Sequence, residues 1–339
     1  MRDLYHPVSI GNLETPGNLF LAPVAGYTDR AFRSICVEQG ANFTYTELVS
    51  AEAMVRGGPS FSGLLGRADN EIRYGVQLFG SDPETIYKAA VLLEPFAPDL
   101  LDLNAGCPVP KVVKTGAGAG LMRNPPGLGR VIGAANRASM ERLGRIPVTV
   151  KLRSGWDADS INYRECSQIA VEAGAAAVTL HPRTREQGYT GKSDWRYIQD
   201  LVSRLPVPVI GSGDLFSPQA AEEMLRETAC AAVMFARGAL GNPFIFSETF
   251  FRLQGSTLHS EDPRSSKQIL ETGFRHLLLR AGDAGEKKAC LEMRKQMCAY
   301  TRGISGGGAL RNKLVHAESI ADYRRILDEY LATFSAPPS

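Results

Sequence analysis

"LLDLNAGC", residues 100–107, begins as an apolar run and ends on a glycine and a cysteine. Its hydrophobic residues follow one another almost without alternation, the pattern of a strand covered on both faces in a parallel sheet. Seven other runs share the form: "LFLAPVAG" (19–26), "FTYTELVS" (43–50), "YGVQLFG" (74–80), "PVTVKLRSG" (147–155), "AAVTLHPR" (176–183), "VPVIGSGD" (207–214) and "AAVMFARG" (231–238). Their mean spacing is about 30 residues, the size of one βα unit. Helical patterns lie between them. "DRAFRSICVEQG" has Thr28 as its expected N-cap and stops at Gly40, "SDPETIYKAAVLL" is capped by Ser81 or Asp82 with Pro83 in its first turn, and "SPQAAEEMLRE" repeats that plan. Eight βα units over roughly 240 residues predict an α/β chain built as a (β/α)8 TIM barrel.

Beyond residue 255 the composition changes. A Gly/Ser/His/Pro-rich stretch near 255–266 reads as a linker. "KQILETGFRHLLLRAG", "EKKACLEMRKQMCAYTRG" and "ESIADYRRILDEYLATF" then carry apolar residues at three- and four-residue steps, with "GISGGGALRNKL" as a glycine-rich turn. The expected organisation is a barrel over 1–255 and a small all-α unit of three or four helices over 264–339. From Arg264 onward 13 Lys/Arg stand against 8 Asp/Glu, +5 of a total +2, which leaves −3 for the barrel. A basic module on a mildly acidic body points to a polyanionic partner.

Of the 339 residues 44% are hydrophobic and 22% charged, a globular composition. No apolar run reaches the roughly 18 residues of a membrane span. "MRDLYHPVSIGNLETPG" carries no signal pattern, so a cytoplasmic protein is expected. The six cysteines, at 36, 107, 166, 230, 290 and 298, form no CxxC pair, which suits reduced thiols. No His/Cys spacing suggests a metal site, and no obligate protein partner is indicated.

A parallel barrel places its site at the C-terminal ends of the strands. The residues there are Pro23-Val24-Ala25, Glu47, Gln77, Asn104 with Cys107, Lys151 with Arg153, His181 with Arg183, Gly211 to Asp214, and Ala236-Arg237-Gly238. Packing alone would favour Val and Ile at such positions. "GSGD" and "ARGALGNP" follow the seventh and eighth strands, where barrels bind phosphate on backbone N–H groups, with Arg237 as a further anion contact. Lys151 and Arg153 share a face of one strand, so an anion is expected between them. A reduced flavin's N1–C2 edge or a sugar phosphate satisfies that equally well. "GAGAG" (116–120) departs from the dinucleotide spacing GxGxxG and reads as a lid on the loop after Cys107.

Taken together, "LAPVAGYTDRAFR", "VQLFGSDPE", "DLNAGCPVPKVVKTGAGAGLM", "VKLRSGWD", "HPRTREQGYTG", "PVIGSGDL" and "ARGALGNPFIF" resemble the tRNA-dihydrouridine synthases, most closely the bacterial B-type subgroup. The resemblance spans the whole barrel, and the helical tail is similar to that family's RNA-binding domain. It implies FMN in the barrel, reduction of selected tRNA uridines to 5,6-dihydrouridine, and NADPH (or NADH) as electron donor. Carried over by motif, the FMN contacts fall on Pro23, Val24, Ala25, Gln77, Lys151, His181, Ser212, Gly213, Asp214, Ala236 and Arg237. Cys107 matches the proton donor, and Asn104, Arg153, Arg183, Arg294 and Lys295 become substrate contacts. The chain departs from the family's usual residues at Val24 (methionine), Ser212 (asparagine), Ala236 (glycine) and Gln296 (histidine).

The chemistry implied is hydride transfer from flavin N5 to C6 of uracil and a proton to C5 from the base's other side. A thiol with a pKa near 8.5 is only about 3% thiolate at pH 7, so it is loaded as an acid. Two alternatives stay open on the sequence. One is an FMN barrel acting on a small metabolite, as dihydroorotate dehydrogenases do; the other is a non-catalytic RNA-binding protein.

Overall fold

The computed structural model describes residues 3–57, 61–255 and 265–334. A short antiparallel hairpin, β1 (Val8–Ile10) and β2 (Leu13–Thr15), precedes eight parallel strands. These are β3 (Leu19–Leu21), β4 (Phe43–Ser50), β5 (Tyr74–Phe79), β6 (Leu100–Ala105), β7 (Val148–Arg153), β8 (Ala177–His181), β9 (Val209–Ser212) and β10 (Ala232–Phe235). They close into a barrel in chain order, with β10 pairing back onto β3. Every one of the eight expected runs supplies one strand. The hairpin was not expected. Its Val8, Ile10 and Leu13 join barrel-interior residues such as Phe20, Leu100 and Met234 in one apolar cluster.

The barrel helices are α1 (Arg30–Glu38), α2 (Ala51–Val55), α3 (Ser62–Leu65), α4 (Pro83–Val91), α5 (Pro110–Val113), α6 (Pro125–Arg142), α7 (Tyr163–Glu172), α8 (Arg196–Arg204), α9 (Pro218–Thr228) and α10 (Ile245–Leu253). Asp82 caps α4 and Ser217 caps α9, each followed by proline. Asp29, not Thr28, caps α1: its carboxylate accepts the Phe32 N–H at 2.8 Å. Thr28 is occupied within its own loop, where its hydroxyl accepts the Val24 N–H at 2.9 Å.

Four helices follow: α11 (Ser266–Ala284), α12 (Glu286–Tyr300), α13 (Gly307–Leu314) and α14 (Ile320–Phe334). The expected linker falls largely on residues 256–264, outside the described residues. The stretch expected as a glycine-rich turn contains α13, because buried Leu310 and Leu314 pack into the cluster built by Met293, Met297, Tyr323 and Leu327 and so override the helix cost of the glycines. Two ion pairs, Arg30–Asp283 and Arg275–Glu38, tie α11 to α1. Among the described residues no helix is long and apolar enough to cross a membrane.

Candidate active site

A cavity of about 400 Å3 opens among the C-terminal strand ends, within the usual range for small-molecule sites. Pro23, Val24 and Ala25 line it from the loop after β3, and Asn104 and Cys107 from β6 and its loop. Lys151 and Arg153 come from β7 and His181 from β8. Ser212, Gly213 and Asp214 come from β9 and its loop, Ala236 and Arg237 from the loop after β10. Register explains the convergence: Asn104 pairs with Lys151, and Arg153 with His181, so the strand ends lie level. Of the residues assigned to cofactor, catalysis or substrate, Gln77, Arg183, Arg294 and Lys295 do not line the cavity, nor do the strand-end residues Glu47 and Gly211.

Gln77 lies beneath it as the middle link of a hydrogen-bonded chain. Its Nε2 donates to Asp102 Oδ2 at 2.6 Å and its Oε1 accepts from Asn104 Nδ2 at 2.8 Å. Asn104 Oδ1 in turn accepts the N–H of Cys107 at 2.8 Å and of Gly106 at 3.2 Å. Thr149 Oγ1 donates to the other carboxylate oxygen of Asp102 at 2.6 Å. Burial pushes the Asp102 carboxyl up to about 6, although the bonds from Gln77 and Thr149 favour its ionised form. A carboxylate only accepts, so it fixes which end of the Gln77 amide faces which neighbour, and hence the orientation of Asn104.

Cys107 is half-buried. Burial raises its pKa, while the bond at Val109 and the charges of Arg153 and Lys151 pull it back; the net direction is upward, so the thiol keeps its proton at neutral pH. Gly106 lets the loop run over β7, where an added Cβ would come within 3.3 Å of the Leu152 carbonyl carbon. The Cys107 carbonyl accepts the Ala119 N–H at 3.0 Å. Gly118, at φ +59°, sits where a Cβ would fall 2.7 Å from that carbonyl oxygen. The stretch expected as a lid is therefore a packed brace: Ala117, Ala119, Leu121 and Met122 are buried, and the glycines serve close approach.

The cations divide into bound and unbound. Arg153 donates to the carbonyls of Gly106 (2.8 Å), Thr184 (2.8 Å) and Gly188 (3.0 Å), lashing the loop after β6 to the loop after β8. Arg183 is buried and committed to Asp214 at 2.8 Å, Ser193 Oγ at 3.0 Å and the Gly191 carbonyl at 2.6 Å. Arg237 reaches Asp214 at 3.4 Å and is stacked against Tyr189 and Phe216, 4.2 and 5.0 Å from the ring centroids. Lys151 Nζ has no hydrogen bond or ion pair among the described residues. Withdrawal from water and then the Arg153 charge bring its pKa down to about 8, against the pull of Asp102. His181 is driven well below its ordinary value, by burial first and then by these four cations, so it is neutral.

Gly213 and Asp214 both have positive φ, +111° and +58°. Among the described residues no acceptor meets the N–H groups of Asp214, Arg237 and Gly238. One carboxylate, four cations and three free N–H groups make a strong anion site. Sequence reasoning missed Tyr27, Leu48, Val109, Tyr189 and Phe216, which also line the cavity. Tyr189 and Phe216 are more than half exposed. An aromatic residue in a glycine-flanked loop, as in "EQGYTG", was the available signal.

In the tail, Arg294 turns inward and donates to the Ala317 carbonyl at 3.2 Å. Lys295 faces the barrel, with Nζ 4.9 Å from the Tyr27 ring centroid. Among the described residues no group of three His, Cys, Asp or Glu side chains is arranged to hold a metal.

The sequence model of the family described as Dihydrouridine synthase (Dus) matches residues 20–335. A probable tRNA-dihydrouridine synthase of Treponema pallidum is 49% identical over 329 residues, 96% of each chain. The tRNA-dihydrouridine synthase B of Xanthomonas axonopodis pv. citri is 33% identical over 92% of each chain. Among solved structures, an old yellow enzyme homologue from Zymomonas mobilis superposes with a TM-score of 0.54 at 11% identity, over 74% of this chain and 93% of the other. Histamine dehydrogenase from Rhizobium sp. 4-9 does so with 0.59 at 13% identity, over 87% and 51%; both share the barrel fold. On the family match and the extent of these identities, the chain belongs to the dihydrouridine synthase family.

Proposed function

We propose that the protein reduces uridines of tRNA to 5,6-dihydrouridine, with FMN in the cavity and NADPH or NADH as electron donor. The observation that carries this reading is the half-buried Cys107 thiol lining one cavity with Lys151, which makes no hydrogen bond or ion pair among the described residues. The residues present fit FMN. The N–H groups of Asp214, Arg237 and Gly238, with the Arg237 guanidinium, would hold its phosphate, and Lys151 the electron-rich edge of its ring. Pro23, Val24, Ala25, His181, Ser212, Gly213 and Ala236 would wall it, and Gln77 would act from beneath through Asn104.

Bound FMN supplies the hydride that C6 of uracil accepts. The chain's own task is the second half of the reduction. Cys107 Sγ–H gives its proton to C5 as charge develops there, and the resulting thiolate is stabilised by Lys151 and Arg153 until water reprotonates it. The remaining N–H groups of Asn104 and Arg153 are the base contacts, while Arg183 acts by holding Asp214. The base must leave the tRNA stack to arrive, and Tyr189 and Phe216 offer stacking faces at the mouth. Residues 264–339, with their net positive charge, would grip the tRNA backbone, and residues 1–255 would perform the chemistry.

The test is incubation of the FMN-loaded protein with unmodified tRNA and NADPH, reading dihydrouridine by its mass gain of two hydrogens. Cys107→Ala should bind FMN and lose product formation. Normal product from that variant would remove the assigned role. Reduction of free uridine or dihydroorotate as fast as of tRNA would favour a small-metabolite enzyme.

A further inference from the structure

We propose that Lys295, with Gln296, is a positioning residue for the cofactor cavity rather than a tRNA phosphate contact: α12 and Glu47 clasp the loop after β3 between them. The inference rests on the cavity being the flavin site.

The loop turns on itself through the Val24 carbonyl, which accepts the Tyr27 and Thr28 N–H groups at 3.0 and 3.1 Å, but none of these bonds ties Gly26. It runs from Ala22 to Asp29, lines the cavity with Pro23, Val24 and Ala25, and turns at Gly26, whose φ is +72°. Its one internal side-chain tie is Thr28 to Val24. The ties at Gly26 and at the Tyr27 carbonyl come from outside. The Gly26 N–H donates to Glu47 Oε2. Glu47 lies within the register shift of β4 between Tyr45 and Leu48, the irregularity that re-aims a side chain at a strand end. From α12, Lys295 Nζ sits so close that a Cβ on Gly26 would be 2.6 Å from it. The next residue on α12, Gln296, is buried and donates from Nε2 to the Tyr27 carbonyl at 3.2 Å.

Charge makes these contacts one device. Burial raises the Glu47 carboxyl, while the Gly26 N–H and the Lys295 charge favour its ionised form. An ionised carboxylate is the stronger acceptor for the Gly26 N–H. Lys295 thus strengthens a bond it does not make. Arg280 and His276 extend the seam, 3.8 and 3.6 Å from the Asp29 carboxylate that caps α1 at the loop's end. The helical unit therefore shapes one wall of the cavity.

The two roles for Lys295 give opposite measurements. Cofactor-free protein is titrated with FMN by fluorescence, and tRNA binding is measured against salt. Lys295→Met should raise the FMN dissociation constant about tenfold, the scale of one charge-assisted hydrogen bond, with Lys295→Arg restoring most of it. Glu47→Gln should do the same, and the double variant should be no worse than the poorer single one. The salt slope of tRNA binding should not change. If Lys295→Met binds FMN like the wild type and the slope falls by about one, Lys295 is a phosphate contact and the clasp is wrong. A lowered unfolding midpoint with unchanged FMN affinity also overturns it. Wild-type protein that takes up no FMN overturns the flavin reading itself, and the clasp with it.

Discussion

Asn104 Oδ1 accepts the backbone N–H of Cys107 at 2.8 Å, so the side-chain amide at the end of β6 aims the start of the loop that Arg153 and Ala119 also hold. The same amide is oriented by Gln77, and Gln77 by Asp102. Replacing Asn104 by alanine leaves the Cys107 N–H and Gln77 Oε1 unpaired, at about 1–3 kcal/mol of stability. Its larger effect is on aim: a thiol displaced by about an ångström costs on the order of a hundredfold in turnover. Turnover of FMN-saturated Asn104→Ala, beside a denaturation curve, checks both. Unchanged turnover would mean the loop is fixed elsewhere.

Asp102 makes stability depend on pH. Its carboxyl rises from 3.8 to about 6 in the fold, so folding favours its protonated form. That contribution is complete below the unfolded value near 3.8 and is lost as pH rises through about 6, a swing on the order of 3 kcal/mol. Asn in its place does not titrate and still accepts from Gln77. The stability of cofactor-free Asp102→Asn relative to wild type should therefore rise between pH 4 and pH 7, as read by urea unfolding at several pH values. A pH-independent difference would show that Asp102 stays protonated or is compensated.

Arg33 and Glu71 form a fully buried ion pair at 2.7 Å, and Glu71 also accepts from Thr44 Oγ1 and the Ala68 N–H. Removing one charge strands the other, so Arg33→Met should cost about 3–5 kcal/mol. Arg33→Met with Glu71→Gln should recover part of that. Unfolding free energies of the two variants decide it; a double variant as damaged as the single would place the loss in packing.

The barrel was readable in the sequence because its strands are covered on both faces and carry the unbroken apolar runs that report this. Val8–Ile10 and Leu13–Thr15, with three residues each, are too short for any period to register. Glycine was the other source of error. In "GAGAG" and "GISGGGALRNKL" it suggested looseness, whereas Gly118 is required by the nearness of the Cys107 carbonyl and α13 is held by buried leucines. Strand-end polarity located the site residues but not their partners. Nothing in the order of residues tells that Gln77 turns beneath the cavity to Asp102, that Arg183 is committed to Asp214, or that Lys295 faces Gly26 across some 270 positions of chain.

Cys107 supplies the sharpest test of the assigned chemistry, because an acid and a nucleophile need opposite protonation states. Burial holds the thiol above its ordinary range, against Arg153 and Lys151. Proton donation requires the form that exists below that pKa, so single-turnover reduction of tRNA by FMN-reduced enzyme should be flat near neutrality and fall as pH rises through it. Alkylation by iodoacetamide requires the thiolate and should rise over the same interval. Mass spectrometry of the Cys107 peptide against pH gives that midpoint directly in the cofactor-free protein. In Lys151→Met the midpoint should move higher, since a cation favouring the thiolate has been removed. An alkylation rate already at its plateau at pH 7 would mean the sulfur is resident as thiolate, and the proton at C5 would have to come from another group.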